Sequence, residues 1–191
     1  MELAKIGATP KGGVRRLALS ELDGQARRLL IEWCRQAGCS ITIDGIGDIF
    51  ARRAGQDDTL PPVITGSHID TQPSGGKFDG NFGVLAGLEV LRTLNDSGVR
   101  TRAPLEVAVW TNEEGSRFAP AMMASAAYVG DFTTDDILSR KDIDGVTVGE
   151  ALDGIGYRGD SPVGRQKFSG FVELHIEQGP ILEAEGREIG V

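Results

Sequence analysis

One segment sets the fold of this chain: Val63-Ile64-Thr65-Gly66-Ser67-His68-Ile69-Asp70, an apolar run that gives way to polar side chains. Its β-branched residues predict a strand that begins after the turn-forming pair Pro61-Pro62. A second strand is predicted over Leu105–Trp110, and it too ends in a polar cluster. Residues 83–94, between the two strands, have the apolar spacing of a helix. The order strand, helix, strand is typical of an α/β fold with parallel strands.

The flanking sequence extends this alternation of helices and strands. Ser20 can cap a helix whose apolar residues recur from Leu22 to Cys34, with Asp23 as a weak capping-box partner. Two short strands, residues 41–43 and 49–51, are predicted around a turn. The remaining predicted elements are helices near residues 121–128, 134–139, 148–152 and 180–184 and a strand at residues 171–176. We therefore expect one α/β domain with a mostly parallel sheet flanked by helices.

Composition argues against several classes of partner. The 191 residues include 20 Lys or Arg and 28 Asp or Glu, which gives a formal net charge of −8. A chain this acidic repels nucleic-acid phosphates and anionic membrane surfaces. No apolar run approaches the ~18 residues of a membrane span, no signal peptide is recognisable, and two cysteines are too few for a disulfide framework. We expect a cytoplasmic protein.

Both histidines of the chain lie in polar clusters that end predicted strands. These clusters are His68-Ile69-Asp70, Asn112-Glu113-Glu114 and His175-Ile176-Glu177. In open α/β sheets, ligands bind beyond the carboxyl ends of the strands. We therefore expect the three clusters to line one site.

The first cluster has the composition of a metal site. His68 and Asp70 are two residues apart, so their side chains point the same way on an extended segment. A carboxylate beside an imidazole fixes its tautomer and supports metal binding. Asp79 lies between glycines that allow the backbone to return its carboxylate to the same pocket. Taken alone, these residues fit a metal site and an ordinary solvated turn with a surface histidine equally well.

The other two clusters add groups for acid–base chemistry and binding. A turn at the strand end can bring the adjacent Glu113 and Glu114 around one site, where one binds a metal ion and the other accepts a proton from water. A solvated acidic turn is the alternative. His175 repeats the pattern of His68, with Glu177 two residues on, and Gln178 adds an amide that can hold a polar substrate.

Four motifs, in this order and spacing, carry a resemblance to a known family: Thr65–Thr71, Lys77–Gly80, Thr111–Phe118 and His175–Pro180. They resemble the amidase branch of the M20 metallopeptidase-like family. This branch includes N-carbamoyl-L-amino-acid hydrolases, β-ureidopropionases and allantoate amidohydrolases. The opening segment Gly7–Leu17 is similar to the N-terminal signature of the same family, and Ala119–Met123 is more similar to the carbamoylases than to the allantoate enzymes.

The resemblance implies a zinc-exopeptidase-like catalytic domain that holds two divalent ions of zinc, manganese, cobalt or nickel. The implied metal ligands are His68, Asp79, Glu114 and His175, with Asp79 bridging the two ions. Glu113 is implied as the general base, Asp70 as the residue that orients His68, and Gln178 as a contact to the substrate or to the ligands. The implied reaction is hydrolysis of a linear amide or ureido C–N bond in a small molecule. N-carbamoyl-L-amino acids are the first expectation, and allantoate, ureidoglycolate or β-ureidopropionase substrates are the alternatives.

The chain departs from the family in its length. Family members are longer, because a lid domain that also forms their homodimer interrupts the catalytic domain. We therefore expect residues 1–191 to be the N-terminal portion of such a catalytic domain, with one metal ion lacking a ligand and with little or no hydrolase activity on its own. The non-enzymatic alternatives are an inactive metal-binding remnant and a metal-free α/β domain whose acidic clusters are solvated.

Overall fold

The computed structural model describes residues 2–164 and 167–191. In these ranges it contains five strands, six α-helices and a short 3₁₀ helix at Leu3–Lys5. The strands are β1 (Ser40–Ile43), β2 (Ile49–Arg53), β3 (Val63–His68), β4 (Leu105–Trp110) and β5 (Gly170–Val172). The helices are α1 (Glu21–Gln36), α2 (Asn81–Asp96), α3 (Met123–Val129), α4 (Thr134–Ser139), α5 (Val148–Ile155) and α6 (Ile181–Ala184).

The strands form one mixed sheet in the order β1-β2-β4-β3-β5. β3 pairs in parallel with β4 and with β5, and α2 is the crossover between β3 and β4. The predicted α/β fold with flanking helices is confirmed. The expectation of a mostly parallel sheet also holds for strand direction, because β1, β4, β3 and β5 run the same way. The sheet is mixed because β2 runs antiparallel to both of its neighbours, β1 and β4.

Helix α1 begins at the predicted N-cap, Ser20, but Asp23 does not complete the predicted capping box. Ser20 Oγ accepts a hydrogen bond from the Asp23 amide, which is the expected N-cap. The Asp23 carboxylate accepts from the amide of Leu19 instead of that of Ser20, and it also accepts from Arg27 Nε at 2.9 Å. Asp23 and Arg27 are both buried, so the first turn of α1 is tied into the core by an internal ion pair.

The two faces of the sheet pack differently. The larger apolar core includes the buried residues of α1 and α2, and a smaller cluster on the other face includes Phe50, Ile64, Trp110 and Tyr128. Since side chains alternate along a strand, His68 lies on the same face of β3 as Ile64. Among the described residues, no helix has the length and apolar character that a bilayer crossing requires.

The predicted strand at residues 171–176 is correct only for its first part. β5 ends at Val172, and its pairing with β3 stops at Thr65. Residues 173–175 are exposed and belong to no strand. His175 therefore reaches the end of the sheet from an irregular segment.

Candidate metal centre

The strand register brings the predicted clusters to one edge of the sheet. His68 pairs with Trp110 across β3 and β4, so both strands end at the same level. The register of β3 and β5, continued for three residues beyond Val172, places His175 opposite His68. Their rings are stacked, with centroids 6.0 Å apart and planes at 28°. The two histidines thus face the same centre although the second lies outside a strand.

Three side chains form a compact donor set. His68, Asp79 and His175 each offer one ligand atom, and these atoms lie within 4.8 Å of one another. Asp79 Oδ1 is 3.8 Å from His68 Nε2 and 3.3 Å from His175 Nε2. Asp79 therefore lies between the two imidazoles, where its carboxylate can bind a cation together with both rings.

Main-chain carbonyl groups fix which ring nitrogen of each histidine is free. His68 Nδ1 is 2.9 Å from the carbonyl oxygen of Asp70, and His175 Nδ1 is 2.8 Å from that of Ile176. Because a carbonyl oxygen only accepts, each Nδ1 donates, and Nε2 is the ring nitrogen that faces Asp79 and is available to a cation. Asp70 orients His68 through its main chain, while its carboxylate stands 3.7 Å from Nδ1.

The Asp70 carboxylate has a second set of partners that the sequence did not suggest. It accepts hydrogen bonds from the amides of Glu113 and Glu114, each at 3.2 Å. Burial raises the pKa of Asp70 to about 7, against the opposing influence of His68. Asp70 therefore joins the end of β3 to the turn that follows β4.

The two glutamates occupy different environments, and Glu114 is not among the three residues whose ligand atoms lie within 4.8 Å of one another. Glu113 Oε2 is 3.4 Å from His68 Nε2, and its side chain is 30% exposed, so it can meet both a ligand and water. Glu114 Oε2 accepts from Gln72 Nε2 at 2.5 Å. Glu114 Oε1 is buried and has no hydrogen-bond partner among the described residues. Burial also raises the pKa of Glu114, because a carboxylate that is partly removed from water is less stable in its charged form.

This arrangement fits divalent cations. A buried carboxylate oxygen without a donor is uncommon in folded proteins, and a bound cation or an ordered water satisfies such an atom. Imidazole nitrogen together with carboxylate oxygen suits zinc, manganese, cobalt and nickel alike, so the donor set does not select one of them. Gln178 Nε2 donates to Asp79 Oδ2, which places this amide beside a candidate ligand. A contact of Gln178 with substrate stays a prediction.

Arg16 supports the centre through buried hydrogen bonds, and no sequence pattern predicted this role. Its guanidinium is fully buried. It donates to four acceptors: the carbonyl oxygens of Leu3, Ile6 and Ile69 and the side-chain oxygen of Asn81. It thereby ties the opening segment of the chain to the residues after His68 and to the start of α2. Sequence spacing cannot distinguish such an arginine from an exposed one.

Gly80 is needed where α2 approaches His68. Its φ is +64°, which favours glycine, and a Cβ built on it would lie 2.5 Å from the His68 ring. Asp79 and the start of α2 therefore reach the imidazole only because position 80 has no side chain. The glycines around Asp79 were predicted to allow a sharp turn, but this close approach carries no sequence signal.

The amino-acid sequence is similar to a described protein family and to named hydrolases of other organisms. The sequence profile described as peptidase family M20/M25/M40 matches residues 64–191. A Rhizobium meliloti protein named N-carbamoyl-L-amino-acid amidohydrolase is 52% identical over 191 residues, which is 100% of this chain and 46% of that protein. A ureidoglycolate hydrolase of Oryza sativa subsp. japonica is 39% identical over 197 residues, 100% of this chain and 41% of that protein.

The fold is shared with solved structures as well. The crystal structure of an amidase of the hydantoinase/carbamoylase family from Burkholderia multivorans matches with a TM-score of 0.96 and 60% identity, covering 97% of this chain and 45% of that one. The chain thus spans just under half the length of the curated relatives it matches.

Proposed function

The chain belongs to the hydantoinase/carbamoylase amidase branch of peptidase family M20/M25/M40, and we propose that it carries the metal centre of an amidohydrolase acting on N-carbamoyl-L-amino acids. One observation supports this most directly. His68, Asp79 and His175 converge within 4.8 Å, and Glu113 Oε2 lies 3.4 Å from His68 Nε2. A carboxylate that is open to water beside a cation site suits the hydrolysis of a C–N bond.

The ligands in this proposal are His68, Asp79, Glu114 and His175, which would hold two divalent ions. When bound, such ions polarise a carbonyl group and make water more acidic. Glu113 accepts the proton of the attacking water and delivers it to the departing nitrogen. Asp70 holds the glutamate pair in place, and Gln178 holds Asp79 or a polar group of the substrate.

The order of the candidate substrates follows from the sequence identity between this chain and each of the two named relatives. The carbamoylase relative is more similar to this chain than the ureidoglycolate hydrolase, so a carbamoyl amino acid is the first candidate. Its hydrolysis gives the free amino acid, carbon dioxide and ammonia. Ureidoglycolate is the second candidate, because it also presents a linear ureido C–N bond. Release of ammonia from each substrate, added separately, discriminates between them.

Glu113→Gln tests the proposed reaction in the complete protein as its gene encodes it. We expect kcat to fall by about 10²–10⁴-fold, because the amide accepts no proton, while metal content stays at the wild-type value. Glu32→Gln, which alters an exposed residue of α1, serves as the control and should leave kcat unchanged. Wild-type turnover in Glu113→Gln would remove Glu113 from this role. Absence of bound metal from the wild-type protein after metal supplementation would refute the centre itself.

A further inference from the structure

We propose that Asn112 is a positioning residue that turns the adjacent Glu113 and Glu114 toward the same centre. This inference rests on the proposed function, in which one glutamate accepts a proton and the other binds a cation. Adjacent residues of a regular strand point to opposite faces. A simple extension of β4 beyond Trp110 would therefore direct one of the two carboxylates away from His68.

The backbone of Asn112 breaks the strand at this point. Asn112 has a φ of +54°, in the left-handed region that few residues other than glycine adopt. Asparagine tolerates this conformation better than most side chains. Gly115, with a φ of +65°, completes the reversal close to Ala121. The chain therefore turns between the end of β4 and the glutamate pair.

The side chain of Asn112 locks this turn. It is fully buried, and its Nδ2 donates to the carbonyl oxygens of Phe118 at 2.7 Å and Pro120 at 3.3 Å. Its Oδ1 accepts from the amide of Phe118 at 3.3 Å. Loss of the Nδ2 group would leave two carbonyl groups without this donor, which is costly for buried polar groups. The amide thus closes residues 112–120 into one loop.

The glutamates are held from the opposite side by other contacts. Their two amides donate to the Asp70 carboxylate, and the Glu113 carbonyl oxygen accepts from the amide of Met122 at 2.6 Å. As a result the Glu113 carboxylate approaches His68, while that of Glu114 approaches Gln72. Asn112 touches neither the candidate ligands nor their shared centre, so its role is indirect.

Two substitutions separate the backbone conformation from the side-chain contacts. Asn112→Gly keeps the left-handed φ without strain but removes every hydrogen bond of the side chain. Asn112→Asp keeps the size and the acceptor but removes the donors. Asn95→Ala is the control away from the centre, because the amide of the exposed Asn95 also makes local hydrogen bonds, donating to Ala37 O at 2.8 Å and accepting from Arg53 Nε at 2.7 Å.

The first measurement is hydrogen exchange at the amides of Glu113 and Glu114 in the metal-free chain. We expect both amides to be protected in the wild type, because they donate to buried Asp70. Protection should fall by at least about 10-fold in both Asn112 variants and stay unchanged in Asn95→Ala, with urea unfolding showing that all variants are folded. Full protection in Asn112→Gly would overturn the positioning role whether or not the chain binds metal.

The second measurement is Co²⁺ binding, followed by the d–d absorption that reports the ligands around the ion. We expect the Asn112 variants to bind Co²⁺ more weakly by about 10-fold or more, as for loss of a residue that supports a metal ligand, with an altered spectrum. Wild-type affinity and spectrum in folded Asn112→Gly would overturn the proposal. If the wild type itself binds no Co²⁺, the proposed function fails, and hydrogen exchange alone decides whether Asn112 positions the glutamates.

Discussion

His68 and His175 offer their Nε2 atoms to the same centre but come from regions that are held in different ways. The strand-end region (residues 68–70 and 111–118) follows strands that are paired on both sides. The His175 segment (residues 173–179) continues beyond the end of β5, the last strand of the described sheet. The side chain of His68 is 1% exposed and that of His175 is 30% exposed.

The contacts that hold the two regions differ in kind. Asp70, Asn112 and Arg16 bind the strand-end region through hydrogen bonds to main-chain groups in the protein interior. The His175 segment is joined to the centre by side-chain contacts, which include those of Glu173 with Ser67 and of Gln178 with Asp79. One half of the centre is therefore built into the core, and the other half depends on the polar groups that it meets there.

Arg27→Met tests the foundation of the strand-end region and should have the largest effect on stability. Arg27 donates to Asp23, to Gly47 O at 2.6 Å and to Thr111 Oγ1 at 3.2 Å. Its removal leaves the Asp23 carboxylate buried without its cation, so we expect the free energy of unfolding in urea to fall by about 3–5 kcal/mol.

Arg28→Met is the matched control for this substitution. Arg28 pairs with Glu21 at 3.1 Å on the surface of the same helix, where an ion pair contributes about 0–1 kcal/mol. Equal losses in the two variants would show that the buried network under Thr111 has no special role in stability.

Gly80→Ala should have the next largest effect, because it disturbs the strand-end region at the histidine. A methyl group here meets both a positive φ and the His68 ring, so we expect a loss of roughly 2–4 kcal/mol and weaker Zn²⁺ binding. Gly98→Ala is the control, since Gly98 also has a φ of +64° but no atom within 4 Å of an added Cβ. Calorimetry of both variants would contradict this explanation if Gly98→Ala weakened Zn²⁺ binding equally.

Asp48→Asn should change how stability depends on pH. Burial, and then the negative charge of Asp44, raise the pKa of Asp48 well above its ordinary value. The protonated form is therefore favoured by folding, and stability falls as pH rises above about 4, by about 1.4 kcal/mol for each unit by which the pKa is raised. Asparagine keeps the acceptor for the Thr111 amide, which lies 2.8 Å from Asp48 Oδ1, and cannot ionise.

Urea unfolding of both proteins at a series of pH values measures this difference. We expect a flatter dependence above pH 4 in Asp48→Asn than in the wild type, because one group that loses a proton in the core has been removed. Parallel curves would show that Asp48 does not contribute to the pH dependence of stability.

His175→Ala should have the smallest effect on the metal-free chain. The residue is exposed and lies outside the sheet, so we expect its free energy of unfolding to stay within about 0.5 kcal/mol of the wild type. Zn²⁺ should then stabilise the wild type more than the variant, since a ligand that binds the folded state raises its stability. A large loss of stability without metal would place His175 in the core-supported half of the centre.

Local sequence patterns predicted much of this molecule. Helix α4 occupies the predicted residues 134–139, and β4 has its predicted bounds, because capping residues and apolar spacing act over short distances. The rule that strand ends carry sites predicted that His68, Glu113 and His175 lie near one another, and the structure places both Glu113 and His175 beside His68. The antiparallel pairing of β2 with β4 and the early end of β5 were missed, since they depend on which distant strands meet. The left-handed turn at Asn112 was missed because the same residue type is common in ordinary loops.

The central claim is that His68 and His175 bind the same cation site through Nε2, and nitrogen-15 NMR of the imidazole rings tests it directly. The chain has two histidines, so the imidazole signals of its nitrogen-15 spectrum come from four ring nitrogens. During titration with Zn²⁺, we expect the Nε2 signals of both rings to shift with one common midpoint, while each Nδ1 keeps its proton. Shifts at Nδ1, different midpoints for the two rings, or no shift at either Nε2 would contradict the shared centre.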